Sequence, residues 1–449
     1  MSVPMAHTQR ATWRNWARTA AATPYRSDTP RDLQELSATV ARAAADGRRV
    51  RAVGGGHSFT PAAVTEGVHL HLDHLTGLES IERFDDGTAH VTVGAGTHLY
   101  ALNALLAAHG LAMRNLGDID KQTVAGAIST GTHGTGARLG GLATQVVGVR
   151  LVTAAGDVLD LSRDERPELF ELARLGLGSV GILAAVTIEV VPAFRLEAVE
   201  EPWALDDVLV ELDGLVDDND HFEFYWFPHT RRALTKRNNR VADGEVAELN
   251  RVRAWVDDEL LSNGLFGLTN RLATLVPPVT PRINAVAARA LTARRFIAPS
   301  AEVFISPRRI VFREMEYAVP RAELPGVLAE IESWLRSSGE HVPFPLEVRF
   351  AAADDLWLST AHGRETAYVA AHQYVKMPFK RYFDAVEQIM GQVDGRPHWG
   401  KMHWLDAERF GQLYPRFADA QRVRAQADPA GVFGNPYTDH VFGDRHSHG

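Results

Sequence analysis

An apolar approach strand that runs into three consecutive glycines constrains this chain more than any other stretch. It reads Arg51-Ala-Val-Gly54-Gly55-Gly56-His57-Ser58-Phe59-Thr60-Pro61. Three glycines in a row allow φ > 0 and let the backbone press against a ligand, so the strand has to open into a tight loop able to cradle phosphate. No Gly-Lys-Ser/Thr follows, which excludes a P-loop, and no third glycine opens a helix, which excludes the Rossmann fingerprint. A plain tight turn is the alternative on spacing alone.

A second stretch has the same character. From Thr123 to Gly136, nine of fourteen residues are Gly, Thr or Ser, a backbone rich in N–H donors with little side-chain obstruction, suited to a pyrophosphate lying across it. Further on, Gly176-Leu-Gly178-Ser-Val-Gly181 matches GxGxxG literally. It follows a helical run, Pro167 to Arg174, and precedes a strand starting at Ile182, the reverse of the order a dinucleotide-binding turn needs. In Pro343-Phe-Pro-Leu-Glu347-Val-Arg349-Phe350 the two-residue period sets Glu347 and Arg349 on one strand face, opposite Leu346, Val348 and Phe350.

Together these motifs resemble the vanillyl-alcohol-oxidase type of flavoproteins, specifically their sugar-lactone and alditol oxidase branch. The resemblance rests on Gly-Gly-His57-Ser-Phe, on Val-Ala-Gly126 with Gly-Thr-His133-Gly-Thr-Gly, on Glu347-x-Arg349, on His398-Trp-Gly-Lys401, and on the closing Asp428-Pro-Ala-Gly-Val-Phe-Gly-Asn-Pro-Tyr437. It implies an α+β fold: a two-part FAD-binding domain of the PCMH type over 1–195, completed by 410–440, and an antiparallel-sheet cap for the substrate over 196–409. Residues 441–449 read as a disordered tail, and 237–305 as an irregular, partly helical insertion.

The resemblance also implies the site. FAD would be bound by Gly54, Gly55, Gly56, His57 and Ser58, by Gly117, Asp118, Thr123, Gly126, Ala127, Ser129, Thr130, His133 and Gly134, and by Ile182 and Lys401, with a covalent bond from His57 to the flavin 8α-methyl group. Glu347, Arg349 and Lys401 would act on the substrate, with His372 a further polar contact. Oxidising a secondary carbinol needs hydride transfer to the flavin and loss of the hydroxyl proton, hence a base or a cationic field; Arg349 and Lys401 are expected to supply the field.

Two positions refine the expectation. Alditol oxidases carry a serine where this chain has Asp118, which points to an aldonolactone such as L-gulono-1,4-lactone ahead of an alditol. Relatives that act as dehydrogenases carry alanine at the position of Gly117, over the flavin edge that oxygen approaches. Glycine there implies an oxidase that forms hydrogen peroxide from O2, with a dehydrogenase that passes electrons to a cytochrome or dye as the alternative.

Composition bounds the remainder. With 449 residues and 45% hydrophobic content the chain can build two domains around ample cores. A net charge of −9 gives no electrostatic reason to expect nucleic acid or an anionic membrane as partner. No cysteine is present, so disulfides and thiolate metal sites are excluded. Met1 to Ala22 lacks the apolar core of a secretory signal and no stretch of about 18 apolar residues occurs, so a cytoplasmic protein without a membrane span is expected, with peripheral membrane contact left open. His69, His71 and His74 lack a neighbouring ligand cluster and are read as an exposed strand face; no metal site is expected.

Overall fold

The computed structural model describes residues 11–242, 266–306 and 310–443. Of the expected disordered tail 441–449, Val441 and Phe442 instead complete the helix Pro436–Phe442 and are buried, because their side chains close the core; 444–449 and part of the 237–305 insertion lie outside the described residues.

The glycine loop leaves a small parallel sheet. Val50–Val53 and Arg26–Asp28 each pair in parallel with Val68–His71, which lies between them. His69, on that middle strand, is fully buried under other parts of the chain, with Nε2 2.8 Å from the Ala63 carbonyl oxygen and its ring edge-on to Trp13. This overturns the reading of an exposed face at His69, while His71 is half-buried and His74 exposed: alternation says which side chains share a face, and the neighbouring elements decide whether it is covered. The helix Leu33–Ala45 buries Leu36, Val40 and Ala43 at helical spacing against this sheet. Its cap is Asp32, whose carboxylate accepts the Glu35 N–H at 2.8 Å.

A second sheet is antiparallel, in the order Val158–Ser162, Val146–Val152, Ile182–Pro192, Ala89–Gly94, Leu78–Arg83. The GxGxxG segment sits where the helix Pro167–Arg174 turns back into its central strand, as its order in the sequence requires.

Strands from Arg195 onward build one eight-stranded sheet, in the order Arg294–Pro299, Arg195–Ala204, Arg232–Val241, His221–Trp226, Leu346–Ala351, Thr366–Tyr374, Phe312–Pro320, Arg396–Pro397. Much of the stretch read as an irregular insertion is thus regular: Arg232–Val241 and Arg294–Pro299 both pair with Arg195–Ala204. One face of this sheet is apolar. Phe222, Phe224 and Trp226, Leu346, Val348 and Phe350, and Met315, Tyr317 and Val319 pack there with the helices Leu324–Ser338 and Lys380–Gly391. The residues between them, Glu223 and Tyr225, Glu347 and Arg349, Glu314 and Glu316, must point the other way.

The chain then returns to where it began. Phe410, Phe417, Phe433 and Phe442 join the core formed by Leu36, Val50 and Leu70. The Asp428 carboxylate accepts the N–H groups of Val432 and Phe433 at 2.9 and 2.8 Å, and Asn435 donates to the carbonyls of Pro61, Ala62 and Val64. That C-terminal turn braces the loop following the three glycines. Among the described residues no helix is long and apolar enough to cross a membrane.

Candidate active site

Two connected clefts meet at His57. The first, with about 960 Å³ of open space, runs between Gly54–Ser58 and the second glycine-rich segment, and is closed by Leu177, Gly178 and Gly181 to Leu183. The glycines are needed for contact between the two loops: a Cβ on Gly55 would stand 2.1 Å from the Lys121 carbonyl oxygen, and one on Gly54 2.5 Å from Thr123 Oγ1. Gly56 has φ +68°, the left-handed turn that aims His57 into the cleft.

The donors that face this cleft differ from those expected. The N–H groups of Val124, Ala125 and Gly126 are taken by Thr97 O, Ala95 O and Thr123 Oγ1, since Thr123 caps the helix Val124–Ser129. No protein acceptor among the described residues meets the N–H groups of Gly54, Gly55, Gly56, His57 or Ser58. A run of unengaged donors along a glycine-lined cleft fits a pyrophosphate. Of the residues expected to hold FAD, Gly54 to Ser58, Thr123, Gly126, Ser129, Thr130 and Ile182 line this cleft. Gly117, Asp118, His133 and Lys401 line the second one, whereas Ala127 is buried in the core and Gly134 packs against Leu116 O, both behind the cleft walls.

His57 and Ser58 belong to both clefts. The His57 ring stacks on Trp16 with centroids 5.6 Å apart. Burial, helped by the charges of Lys401 and Lys121, lowers its pKa and favours the neutral, nucleophilic imidazole.

The second cleft, with about 600 Å³ of open space, is walled by the polar face of the eight-stranded sheet. Arg349 sits at its centre. It pairs with Glu347, its Nε lies 3.1 Å from Glu223 Oε2, and its Nη2 lies 3.5 Å from Asp118 Oδ2. Burial works against the charge, but these carboxylates outweigh it and hold the guanidinium ionised. Glu223 is in turn kept below the usual carboxylate range, against its own burial, by Lys236, 3.4 Å away, and by Arg349.

Lys401 reaches the cleft through its neighbours on the loop. His398 N and Met402 N donate to the main-chain oxygens of Glu316 and Glu314, strapping His398-Trp-Gly-Lys401 along that strand, and Phe59 N donates to Gly400 O at 2.7 Å. Motifs 340 residues apart in sequence thus touch. Trp399 anchors the loop by stacking on Phe410 and donating to Leu358 O at 2.7 Å. Lys401 Nζ then lies 2.5 Å from Glu314 Oε2. His372 does not line the cleft: it is buried behind Glu314, with Nε2 3.6 Å from that carboxylate and Nδ1 3.1 Å from Pro345 O.

Sequence reasoning missed Glu223, Glu314, Glu316, Lys236 and the role of His398. The signal for the acids was present as isolated Glu at alternate positions of apolar strands. Glu316 bridges the two halves of the molecule: it lies 3.1 Å from His133 Nε2, and although burial pushes its carboxyl up, His133 and Lys401 bring it down to about 2. The cations are consequently not a free field. Asp118, Glu223, Glu314, Glu316 and Glu347 outnumber Arg349, Lys236 and Lys401, so the cavity has carboxylate to spare.

Burial lowers His398 to about 3. A depressed pKa in the folded state means the unfolded chain takes the proton first, so stability present above pH 6.5 is lost as pH falls toward 3, by about 1.4 kcal/mol per unit. His398→Asn, which keeps an acceptor for Gly400 N–H, is expected to flatten the fall of melting temperature between about pH 6.5 and pH 4. An unchanged slope would show that His398 does not carry it.

Comparison with known proteins gives a consistent set of relatives. Residues 186–441 match a family model described as D-arabinono-1,4-lactone oxidase, and residues 27–162 match one described as an FAD binding domain. The chain is 40% identical over 431 residues to the L-gulono-1,4-lactone dehydrogenase of Mycobacterium tuberculosis, covering 96% of this chain and 99% of that one. It is 32% identical to the L-gulonolactone oxidase of Bos taurus, covering 96% and 98%. Among solved structures, cholesterol oxidase from B. sterolicum superposes with a TM-score of 0.77 at 16% identity, over 95% of this chain and 96% of that one, a likeness of fold.

Proposed function

The chain belongs to the D-arabinono-1,4-lactone oxidase family of FAD-dependent oxidoreductases, and on that premise we propose that it oxidises a secondary alcohol of an aldonolactone, of the L-gulono-1,4-lactone kind, with O2 as acceptor. The observation that carries the reading is the buried Arg349 flanked by Glu347, Glu223 and Asp118 in a cavity contiguous with the glycine-lined cleft. Bound FAD supplies a two-electron acceptor for the hydride leaving the substrate carbon. Arg349 donates hydrogen bonds to the lactone oxygens and Glu347 accepts from neighbouring hydroxyls. The excess of carboxylates provides the acceptor for the hydroxyl proton, and of the four that line the cavity, Asp118, Glu314, Glu316 and Glu347, the choices are Glu347 and Glu314. Asp118 favours a lactone over an alditol because it already shares Arg349 and narrows the donors left for a flexible polyol. Initial rates on a panel of aldonolactones and alditols with a dye acceptor test this. A preference for alditols would replace the lactone assignment.

The cofactor is proposed to be tethered through His57, supported by the lowered pKa of its imidazole at the junction of the clefts. Acid-precipitated protein is expected to stay yellow, with a mass above the 49.3 kDa chain by one FAD, and His57→Ala to release FAD into the supernatant. A colourless wild-type pellet would rule out the bond.

Oxygen as acceptor is inferred from Gly117, which lines the catalytic cavity without a side chain. The name of the Mycobacterium tuberculosis relative favours a second reading, a dehydrogenase that hands electrons to another acceptor. Gly117→Ala separates the two. The added methyl would lie 3.1 Å from His133 O and 3.2 Å from Thr132 Cγ2, a tight but possible fit, and in a close-packed wall one carbon can close an oxygen path. Re-oxidation by O2 is expected to slow about tenfold or more while reduction by substrate is kept. If wild-type re-oxidation is no faster than that of free reduced flavin, the dehydrogenase reading holds.

A further inference from the structure

Between the strands Arg232–Val241 and Arg294–Pro299, the described chain forms two short helices, Phe266–Leu275 and Thr280–Ala290, joined at Val276-Pro277-Pro278-Val279. The second helix is fixed by an inward stripe of Thr280, Asn284 and Ala288, with Asn284 donating to Pro228 O and Val342 O at 3.0 and 2.9 Å. Its outward stripe is Arg282, Val286 and Arg289. In the first helix Ala273 is buried while Arg271, Leu272 and Leu275 face out.

These outward apolar side chains are unusually bare: Leu275 is 80% exposed, Val286 66%, Leu272 47% and Val276 46%. Four of the eleven large exposed apolar side chains among the described residues fall within positions 272–286, so they form a patch and not the ordinary scatter of surface apolar residues. The charge along this stretch of sequence is one-sided. From Phe266 to Arg295 the sequence has five arginines and no Asp, Glu or Lys, in a chain of net charge −9. Glu200 and Glu197 take Arg294 and Arg295, while Arg271, Arg282 and Arg289 have no ion-pair partner among the described residues. Net charge is an average, and this face departs from it.

We propose that the hairpin seats on an anionic lipid surface, with Leu275, Val276 and Val286 entering the headgroup boundary and Arg271, Arg282 and Arg289 engaging phosphate and carboxylate headgroups. Apolar tips standing between arginines that have no ion-pair partner among the described residues suit a phase that is anionic at its surface and apolar beneath. A symmetric contact with a second copy would instead set arginines against arginines. The association is peripheral, as no described helix could span the bilayer.

The test is co-sedimentation of the holoenzyme with phosphatidylcholine vesicles containing about 30 mol% phosphatidylserine, or none. Binding is expected only to the anionic vesicles and is expected to weaken as salt rises. Leu275→Ser/Val286→Ser and Arg282→Glu/Arg289→Glu should each weaken it by about tenfold or more, with the melting temperature and visible flavin spectrum unchanged. Equal binding to both vesicle types, binding to neither, or variants that bind like wild type would overturn the proposal. So would a dimer in sedimentation velocity that these substitutions dissociate without any vesicle binding, because the occupant is then a second copy.

Discussion

Replacing Arg349 by alanine is expected to slow reduction of the bound flavin by substrate at least about 10³-fold, and to lower stability by about 3–5 kcal/mol. Both effects come from one rearrangement. Arg349 is buried and is the shared partner of Glu347, Glu223 and Asp118; without it three buried carboxylates lose their common cation, while Lys236 still reaches Glu223 and the Tyr225 hydroxyl still reaches Glu223 and Glu347. Arg349→Lys separates the catalytic part from the structural part. A lysine restores a charge near Glu347 but not the forked reach to Asp118 and Glu223, so melting should recover further than the reduction rate does. Melting curves and anaerobic stopped-flow reduction, run on both variants, check this. A reduction rate within about threefold of wild type in Arg349→Ala would remove the guanidinium from the chemistry.

Gly55→Ala should be the most damaging of the small substitutions. Its methyl would fall 2.1 Å from Lys121 O and 3.2 Å from Gln122 Cα, main-chain atoms that cannot rotate aside, so the two FAD-cleft loops must part. The expected cost is about 3 kcal/mol or more, with purified protein carrying far less FAD than wild type. Gly326→Ala is the control. It lies in the first turn of the helix Leu324–Ser338, with nothing within 4 Å of the added carbon, and is expected to stabilise by about 0.5 kcal/mol. FAD content and melting temperature measured together would contradict the account if Gly55→Ala keeps a full complement of flavin.

What could be read from the sequence follows from where each instruction resides. Glu347 and Arg349 were legible because period-two alternation is local: Leu346, Val348 and Phe350 had to face a core, so the two charges had to face away from it. The same rule covers Glu314 and Glu316, yet a single acid inside Phe-Arg-Glu-Met-Glu-Tyr does not announce that it will meet Lys401 and His133. Those meetings depend on strand order, where Phe312–Pro320 lies beside Arg396–Pro397, and strand order is not a local property. His69 was misread for the same reason, since only the packing of Trp13 and the Ala63 carbonyl against its ring reveals that its face is covered. The glycine-rich run at Thr123 looked like a supply of phosphate donors. Three of those N–H groups turn inward to Thr123, Ala95 and Thr97, and the bare donors belong to the first loop. Arg232–Val241 and Arg294–Pro299 escaped notice as strands because charged residues occupy much of each, and their pairing with Arg195–Ala204 is what makes them regular.

Those pairings also explain the architecture of the catalytic cavity. One sheet face carries Glu223, Glu314, Glu316, Glu347 and Arg349, and the loop bearing Lys401 is tied both to that face and to the residue after Ser58. The glycine-lined cleft and the cavity around Arg349 are therefore joined by main-chain hydrogen bonds.

The most direct measurement is anaerobic mixing of the purified holoenzyme with L-gulono-1,4-lactone while the visible flavin absorbance is followed. The account predicts complete bleaching in a single exponential whose rate saturates with lactone concentration, and its near-complete loss in Arg349→Ala. Flavin that dithionite bleaches but that neither this lactone nor any other aldonolactone reduces would contradict it.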